Sequence, residues 1–383
     1  ELGVGIRCGV EVGRDVTIPQ LREQGFLAFY IAIGCQGGRL PGVPGEHAAG
    51  TDIAVHFLHE ALADENQHMD GRVVVIGGGN VAVDCARTAV RFGAEAVSMV
   101  CLESRDTMPA SKDEIAEAEE EHIEIHTGWG PKELLQDESG HVTAVVFKKC
   151  LRTIDPETGK FAPVYDEAET ITLPADHVVF AIGQAIEWGG LLKDTKVTFH
   201  RGNYPVADPL TYQTAEADIF VGGDVYHGPK FVIDAIEEGK CAAESLHRYV
   251  HKGASLTIGR NRRDFVMLDK ENFSVNCYDH ATRQTEAVDP AVEAHSFRDA
   301  RKTLTSEQVQ TETARCLGCG ASWVDPNKCI GCGVCTTKCV FDAIHLKRDH
   351  PECSTMMKAE DKLKGIASMA CKRLGQTLRG RKG

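Results

Sequence analysis

Residues 72–93, RVVVIGGGNVAVDCARTAVRFG, contain the pattern that decides the fold. RVVVIGGG (72–79) predicts a strand that leaves into a glycine turn, and VAVDCARTAVRFG (81–93) has apolar residues at helical spacing and ends at Gly93. AVSMVCL (96–102) predicts the next strand. A strand, a helix and a second strand in this order form a βαβ unit, which predicts a parallel sheet covered by helices.

The turn between the first strand and the helix, GGGNVA (77–82), fits the pattern G-x-G-x-x-A of dinucleotide-binding loops. In such a loop the first glycine permits the tight turn, the second lets the backbone approach a pyrophosphate, and Ala82 lets the helix lie close to the strand. The helix N-terminus favours the negative charge of the phosphates. The alternative is a glycine turn that only connects strand to helix. The predicted coenzyme-binding residues of this loop are Gly77, Gly79, Asn80 and Val81.

Glu103 and Arg105 follow the second strand and bear on the choice of coenzyme. An acid at this strand end, roughly 20 or more residues after the glycines, suits the ribose diol of NADH and repels the 2′-phosphate of NADPH. Arg105 argues the other way, because a guanidinium pairs with phosphate. Glu103 lies nearer the strand end, so we expect NAD(P)H binding with NADH favoured. The alternative for Glu103 is a solvated surface carboxylate.

Composition places the chain among ordinary globular proteins. Its 383 residues predict two or three domains, with 42% hydrophobic residues, 26% charged residues and a formal net charge of -14. That acidity argues against nucleic-acid binding, and no apolar run approaches the roughly 18 residues of a membrane span. The 15 cysteines often stand singly in apolar or helical stretches. They therefore predict a reducing cytoplasm rather than a secreted disulfide protein.

Further elements follow from the hydrophobic pattern. FLAFYIAIG (26–34) predicts a buried strand and DIAVHFLHEALAD (52–64) a helix. Residues 142–182 predict strands, which the polar stretch DPETGKFAPVYDE (155–167) interrupts as a long hairpin or loop. KFVIDAIEEGKCAAESLHRYV (230–250) predicts a long amphipathic helix. The tail from 351 to 383 is net basic, which we interpret as a solvated terminal helix.

The stretch CIGCGVCTTKC (329–339) has the spacing C-x2-C-x2-C-x3-C. Three thiolates two residues apart can hold one face of an iron–sulfur cube, while the fourth points toward another partner. Zinc sites usually pair two separated C-x2-C knuckles, so zinc and free thiols are the weaker alternatives. The predicted ligands of this stretch are Cys329, Cys332, Cys335 and Cys339.

Three separated segments together resemble the flavoprotein family of the glutamate synthase small subunit: VVVIGGGNVAVDCARTAVRFGA, MPASKDEI (108–115) and VGGDVYHGPKFVIDAIEEGKCAA (221–243). The resemblance covers roughly residues 1–250 and implies an NAD(P)-binding domain nested inside an FAD-binding domain. It implies that FLAFYIAIG and HVVFAIG are the two strand–glycine crossings between these domains, ending at Gly34 and Gly183.

The resemblance also implies a flavin site. VGGD matches the segment of the family whose aspartate holds the ribityl chain of the flavin. That aspartate is Asp224 here, and Gly223 precedes it. The helix from Phe231 and Val232 matches the one whose N-terminus points at the flavin ring, where its dipole would stabilise negative charge. The family's FAD domain opens with its own glycine loop, and only one such fingerprint is present here. We therefore expect an N-terminally incomplete FAD half, either because the sequence is a fragment or because another chain supplies the loop.

ARCLGCG (314–320) resembles the cysteine segment that precedes the flavin domain in this family, but here it follows that domain. With CIGCGVCTTKC it predicts a ferredoxin-like module, to which it adds the ligands Cys316 and Cys319. Because each cube needs four thiolates, the six cysteines predict one 4Fe-4S cluster, and a second cluster is the alternative. The nearest further candidates for a second cluster are Cys353 and Cys371.

The expected fold class is α/β, with nested FAD and NAD(P)-binding Rossmann-like domains and a small ferredoxin-like iron–sulfur domain. The expected organisation is a partial FAD-binding domain at 1–50, an NAD(P)-binding domain at 51–180, the C-terminal part of the FAD-binding domain at 181–255, a linker region at 256–310, a ferredoxin-like 4Fe-4S domain at 311–350 and a basic tail at 351–383.

The leading functional hypothesis is an oxidoreductase subunit in which NAD(P)H reduces FAD, and FAD passes single electrons to the cluster. A hetero-oligomer is expected, in which a redox partner subunit or a ferredoxin takes the electrons. That partner could be a glutamate synthase-like large subunit or part of a larger complex, including one that splits electron pairs. A dithiol–disulfide reductase would need a C-x2-C or C-x4-C pair, which residues 1–300 lack. The non-enzymatic alternative is an electron-relay or scaffold subunit.

Overall fold

The structure is a computed structural model that describes residues 3–64, 66–200, 202–251, 253–260, 281–294, 296–298, 301–316, 324–325, 328–339, 343–347, 351 and 361–379. The chain divides into two compact units, Glu1–Thr313 and Ala314–Gly383.

The described strands all lie in the first unit. In chain order they are β1 (Phe29–Ile31), β2 (Gly37–Gly38), β3 (Thr51–Ile53), β4 (Arg72–Ile76), β5 (Ala96–Cys101), β6 (Glu124–Thr127), β7 (Trp129–Gln136), β8 (Val142–Ile154), β9 (Phe161–Pro174), β10 (His177–Phe180), β11 (Gln184–Ala185) and β12 (Ile219–Val221). The described helices are α1 (Ile18–Glu23), α2 (Ala54–Ala63), α3 (Asn80–Arg91), α4 (Lys112–Glu120), α5 (Asp224–His227), α6 (Val232–Val250), α7 (Pro290–Glu293), α8 (Ser306–Ala314), α9 (Val334–Lys338) and α10 (Lys362–Arg379), with a 3-10 turn at Arg105–Thr107.

A five-stranded parallel sheet of order β3-β10-β4-β5-β6 forms the centre of the first unit. The predicted strand, helix and strand over residues 72–102 are β4, α3 and β5, so the βαβ prediction is confirmed. Both faces of the sheet are covered. Val73 and Val75 of β4 pack with α2, α3 and α4 on one face, while Val74 and Ile76 pack against the antiparallel sheet on the other. This double burial explains why residues 73–76 of β4 are all apolar rather than alternating with polar residues.

The antiparallel sheet has the order β7-β8-β9 and covers the second face of the central sheet. The β8–β9 hairpin of this sheet agrees only in part with the long polar hairpin or loop predicted over residues 155–167. Only residues 155–160 form the connection, and β9 begins at Phe161. The sequence there is polar because this end of β9 is largely exposed, so its polarity indicates solvent contact rather than loop structure.

The segments that precede and follow the central sheet in the sequence form a second, smaller layer. β1 pairs in parallel with β12, and β2 pairs antiparallel with β11. Their core contains Ile31, Ile219 and Val221, which are buried. The chain therefore enters the central sheet after β2 and leaves it after β10, which is the nested arrangement. The predicted long helix over residues 230–250 is α6, which confirms that prediction.

Part of the predicted linker region contacts the outer side of α3 and α4. Arg87 of α3 pairs with Glu121 at 2.7 Å and with Glu293 at 3.1 Å. The Phe297 ring lies 5.5 Å from that of Phe92. Arg301 also pairs with Glu117. Charge pairs of Glu293 and Arg301 and the aromatic contact of Phe297 thus attach this part of the chain to the nucleotide-binding half.

In the second unit, α9 lies within the cysteine-rich stretch and α10 occupies the predicted terminal helix. Among the described side chains of α10, Leu363 and Ile366 are exposed, which agrees with a solvated helix. No helix in the described ranges has the length and apolar character needed to cross a lipid bilayer.

Candidate coenzyme cleft and cluster site

The glycine loop connects β4 to α3 at the carboxyl end of the central sheet. Gly77 has φ +151, and a Cβ there would lie 2.4 Å from the Ala181 carbonyl oxygen, so only glycine fits. A Cβ on Gly79 would meet no atom within 4 Å, which leaves this point open to a ligand. Ala82 is fully buried where α3 lies against the sheet. The three positions therefore have the surroundings that a pyrophosphate-binding loop requires.

The segment before α4 holds this loop in place. The Ala110 backbone N–H donates to the Gly78 carbonyl at 3.0 Å, and the Ser111 N–H donates to the Asn80 side-chain oxygen at 2.9 Å. Ser111 in turn accepts from Glu114 N at the start of α4. Asn80, predicted as a coenzyme-binding residue, thus uses its side-chain oxygen to position the loop. The segment MPASKDEI indicates only a family motif in the sequence, and this contact was not predicted from it. The turn residues Pro109 and Ser111 were the feature of the sequence that could have indicated it.

Glu103 and Arg105 occupy different surroundings although they are two residues apart. A Cβ on Gly78 would lie 3.1 Å from Glu103 Oε2, so this carboxylate lies beside the glycine loop. Arg105 pairs with Glu119 of α4 at 2.6 Å and lies outside the lining of the cleft described next. The acid therefore faces the predicted ribose position, whereas the guanidinium is held away from it.

A cavity of about 850 Å³ opens at this end of the sheet. It extends from the glycine loop and Glu103 to Gly183, Gln184 and Pro229. The β8–β9 hairpin forms a further wall, with Lys148 and Tyr165. Clefts at the carboxyl ends of parallel strands are where open α/β sheets bind ligands, and this one is large enough for a dinucleotide.

The thiols near the cavity are unsuited to act as nucleophiles. Burial, with a smaller contribution from the Glu103 carboxylate, raises the pKa of Cys101 to about 12. Burial also raises the pKa of Cys150 and of Cys35. Such thiols remain protonated at neutral pH. This weakens the dithiol–disulfide alternative on grounds independent of cysteine spacing.

The two predicted crossings lie side by side. Gly34 has φ +69 and Gly183 has φ +122, both in the region that favours glycine. The Arg39 backbone N–H donates to the Gly183 carbonyl at 3.2 Å, next to the pairing of β2 with β11. The structure therefore brings Gly34 and Gly183 to one junction between the two layers.

Asp224 begins α5, directly after the left-handed Gly223, and its Oδ1 accepts from the Lys230 backbone N–H at 3.2 Å. The Gly223 N–H donates to the carboxylate of Glu238, which is buried and lies 2.7 Å from His227 Nδ1. Glu238 fixes the VGGD turn, and sequence reasoning missed it. The feature of the sequence that could have indicated Glu238 is an acidic residue on the inward face of the amphipathic helix α6.

The N-terminus of α6 presents apolar side chains to solvent. Phe231 is 72% exposed and Val232 is 77% exposed, both directly after the VGGD turn. The Phe231 N–H donates to Asp234 at 3.2 Å, which closes the first turn. The exposed apolar side chains and the positive end of the helix thus lie together. The role of Phe231 and Val232 at the flavin stays a prediction.

The cysteine stretch contains two left-handed glycines, Gly331 at φ +67 and Gly333 at φ +79. These reversals separate Cys329, Cys332 and Cys335, and α9 begins directly after Gly333. These three thiols are exposed, and Cys339 is partly buried and accepts from Ala343 N. None of the cysteines that the structure describes forms a disulfide. The donor set and the chain reversals suit a cluster that three closely spaced thiolates hold. Of the remaining candidates, Cys316 and Cys371 are exposed, while Cys319 and Cys353 lie outside the described residues.

The model of the pyridine nucleotide-disulphide oxidoreductase family matches residues 11–239 of this chain. The chain belongs to this family. The model of the 4Fe-4S binding domain matches residues 322–345, which contain the cysteines of CIGCGVCTTKC.

Among curated relatives, the NADP(+)-dependent formate dehydrogenase subunit beta of Moorella thermoacetica is 33% identical over 83% of this chain and 46% of its own length. The glutamate synthase (NADPH) small chain of Halomonas elongata is 32% identical over 65% of this chain and 55% of its own length. The chain thus spans about half the length of these relatives. FprA from Mycobacterium tuberculosis, solved in complex with NADPH, has a TM-score of 0.50 at 18% identity, over 63% of this chain and 67% of its own. It supports the fold alone.

These matches confirm the resemblance to the glutamate synthase small subunit and the presence of a ferredoxin-like iron–sulfur domain. They also confirm the fold class and the classification as an oxidoreductase with flavin, nicotinamide and iron–sulfur chemistry. The choice between NADH and NADPH, the number of clusters, the domain boundaries and the individual site residues remain predictions.

Proposed function

We propose that this chain takes electrons from NAD(P)H, with NADH favoured, and passes them through FAD to a 4Fe-4S cluster and on to a partner subunit or ferredoxin. The observation that carries the proposal is the continuous cavity that reaches from Glu103 and the glycine loop to Gly183 and Pro229. A dinucleotide extended along it from an adenosine at Glu103 would bring its nicotinamide end to the junction with the smaller layer.

The chain's own residues would bind and orient the cofactors. Gly79 and the N-terminus of α3 would receive the pyrophosphate, and the Glu103 carboxylate would accept hydrogen bonds from ribose hydroxyls. Asp224 would accept from ribityl hydroxyls. Bound FAD would supply the conversion of a hydride into single electrons.

The cluster ligands Cys329, Cys332, Cys335 and Cys339 would provide the exit for electrons. The exposure of the first three thiols favours delivery to another protein. The names of the relatives, a formate dehydrogenase subunit beta and a glutamate synthase small chain, are those of subunits, which supports a hetero-oligomer. We therefore propose a redox partner as the electron acceptor.

The proposal is tested by anaerobic addition of NADH to the protein loaded with FAD and cluster, together with the segment or partner chain that supplies the FAD glycine loop. We expect the flavin absorbance to bleach and a reduced-cluster electron spin resonance signal to appear. Asp224→Ala should lower the FAD content while leaving the iron content unchanged, whereas Asp224→Asn, which keeps an acceptor for the Lys230 N–H, should retain the fold. An inert spectrum in wild-type protein that contains both cofactors would favour the electron-relay alternative.

A further inference from the structure

Two neighbouring lysines of β8 have different surroundings. Lys148 lines the coenzyme cavity, and its ammonium lies 4.4 Å from the centre of the Tyr165 ring. Lys149 instead holds its ammonium 4.4 Å from the centre of the Trp129 ring and is not part of the described cavity lining. Lys148 is therefore part of the cavity lining, whereas Lys149 contacts it only through the Trp129 ring, which does line the cavity.

The position of Lys148 lies near the adenosine end of the cleft. Tyr165 packs so closely on Gly130 that a Cβ there would lie 2.6 Å from the ring, and Leu102, the residue before Glu103, is equally close at 2.7 Å. Tyr165 is also within electrostatic reach of the Glu103 carboxylate. Glu103, Tyr165 and Lys148 thus all line the cavity, and the Lys148 ammonium lies against the Tyr165 ring.

The ion pair that holds Lys148 can be exchanged for another anion. Lys148 Nζ lies 2.7 Å from Glu167 Oε1, and the Glu167 side chain is 62% exposed. Ion pairs with an exposed partner contribute little stability. A phosphate dianion therefore competes well with Glu167 for the ammonium. Arg105 differs in position, because it pairs with Glu119 and does not line the cavity.

We propose that Lys148, and not Arg105, is the cation that receives the 2′-phosphate when the cleft binds NADPH. This inference rests on the proposed function. Glu103 favours the free ribose diol of NADH, and Lys148 partly offsets its repulsion of a 2′-phosphate. Glu103 and Lys148 then together determine the ratio of the NADH and NADPH affinities. Lys148 lies on β8, and Glu103 follows the end of β5.

The test measures binding of 5′-AMP and 2′,5′-ADP to the full chain by calorimetry, because these fragments differ only in the 2′-phosphate. Lys148→Gln should weaken 2′,5′-ADP by about tenfold, the effect of losing one charge-assisted hydrogen bond, and change 5′-AMP by less than about twofold. Glu167→Gln should strengthen 2′,5′-ADP a few-fold, because it releases the ammonium, and a purely structural role would not produce that gain. The matched control Lys149→Gln should leave both affinities unchanged.

Equal weakening of both fragments by Lys148→Gln, or an unchanged ratio, would overturn the inference. So would loss of 2′,5′-ADP binding on Arg105→Gln. Wild-type protein that binds neither fragment, NADH nor NADPH would instead refute the proposed function.

Discussion

The glycine loop at 77–79 and the cysteine loop at 329–335 both depend on glycines with positive φ, but different partners hold them. Gly77 is enclosed by Ala181, and its loop is tied by Ala110 and Ser111. In the cysteine loop, a Cβ on Gly331 would meet no atom within 4 Å, and the thiols around it are exposed. The protein itself holds the first loop, whereas we expect the second to need its cluster. Sites of the second kind derive their folding free energy from the metal.

The largest effect expected from this difference is at the cluster. Cys332→Ala removes the middle ligand of the run, and we expect complete loss of an oxygen-sensitive iron–sulfur signal, with local unfolding of residues 329–339. The coenzyme cleft should bind NADH as before. Electron spin resonance and iron and sulfide analysis of anaerobic protein measure the result. Cys8→Ala, at an exposed thiol of the first unit that is not among the predicted ligands, is the control and should keep the signal. Stoichiometric zinc without acid-labile sulfide in wild-type protein would contradict the prediction.

The next effect concerns the glycine loop. Gly77→Ala places a Cβ 2.4 Å from the Ala181 carbonyl oxygen at φ +151, and a strained backbone of this kind costs about 1–3 kcal/mol before the clash is added. We expect a lower denaturation midpoint for the first unit even without coenzyme. Gly79→Ala, where a Cβ meets open space, should keep that stability and lose NADH affinity. Equal stability losses in the two variants would show that the loop is not held as the contacts imply.

A smaller effect should separate binding from folding within the same cleft. Glu103→Arg should weaken NADH and strengthen NADPH by about 1.5–3 kcal/mol in relative terms, because it replaces an acceptor for ribose hydroxyls with a phosphate ligand. Unfolding should be unaffected, since the Glu103 side chain is only partly buried. Fluorescence titration with both coenzymes measures the ratio. An unchanged ratio would mean that the carboxylate lies outside the ribose pocket.

The sequence predicts local patterns well, and it does not predict contacts between residues that are far apart in the chain. The strand, glycine turn and helix at 72–93 are local patterns, so β4, α3 and the roles of Gly77 and Ala82 follow from spacing. The contacts that Glu238 makes with Gly223 and that Lys148 makes with Tyr165 join residues 15 and 17 positions apart. No local pattern encodes such contacts. Arg105 shows the limit most clearly: its charge and position suited a phosphate, but tertiary structure gave it Glu119 as a partner.

The smallest expected effect tests whether surface charge contributes to holding the central sheet. Asp176, just before β10, pairs with Arg72 of β4 at 2.9 Å. The Arg72 guanidinium and backbone N–H lower the pKa of Asp176 to about 2. A carboxyl whose pKa is lower in the folded state stabilises the fold above its unfolded pKa, near 4, and loses that contribution as the pH falls through about 2.

Asp176→Asn should therefore destabilise the first unit at pH 7 and progressively less between pH 4 and pH 2. Because the two side chains are 38% and 44% exposed, solvent screening limits the difference to about 1 kcal/mol or less. Urea denaturation of wild type and variant at several pH values measures it, with the exposed Glu138→Gln as control. A difference that stays constant down to pH 2 would mean that Asp176 acts through neutral hydrogen bonds to Arg72. A difference well above 1 kcal/mol would mean that charge pairs, and not only the apolar packing of β4, hold the coenzyme cleft together.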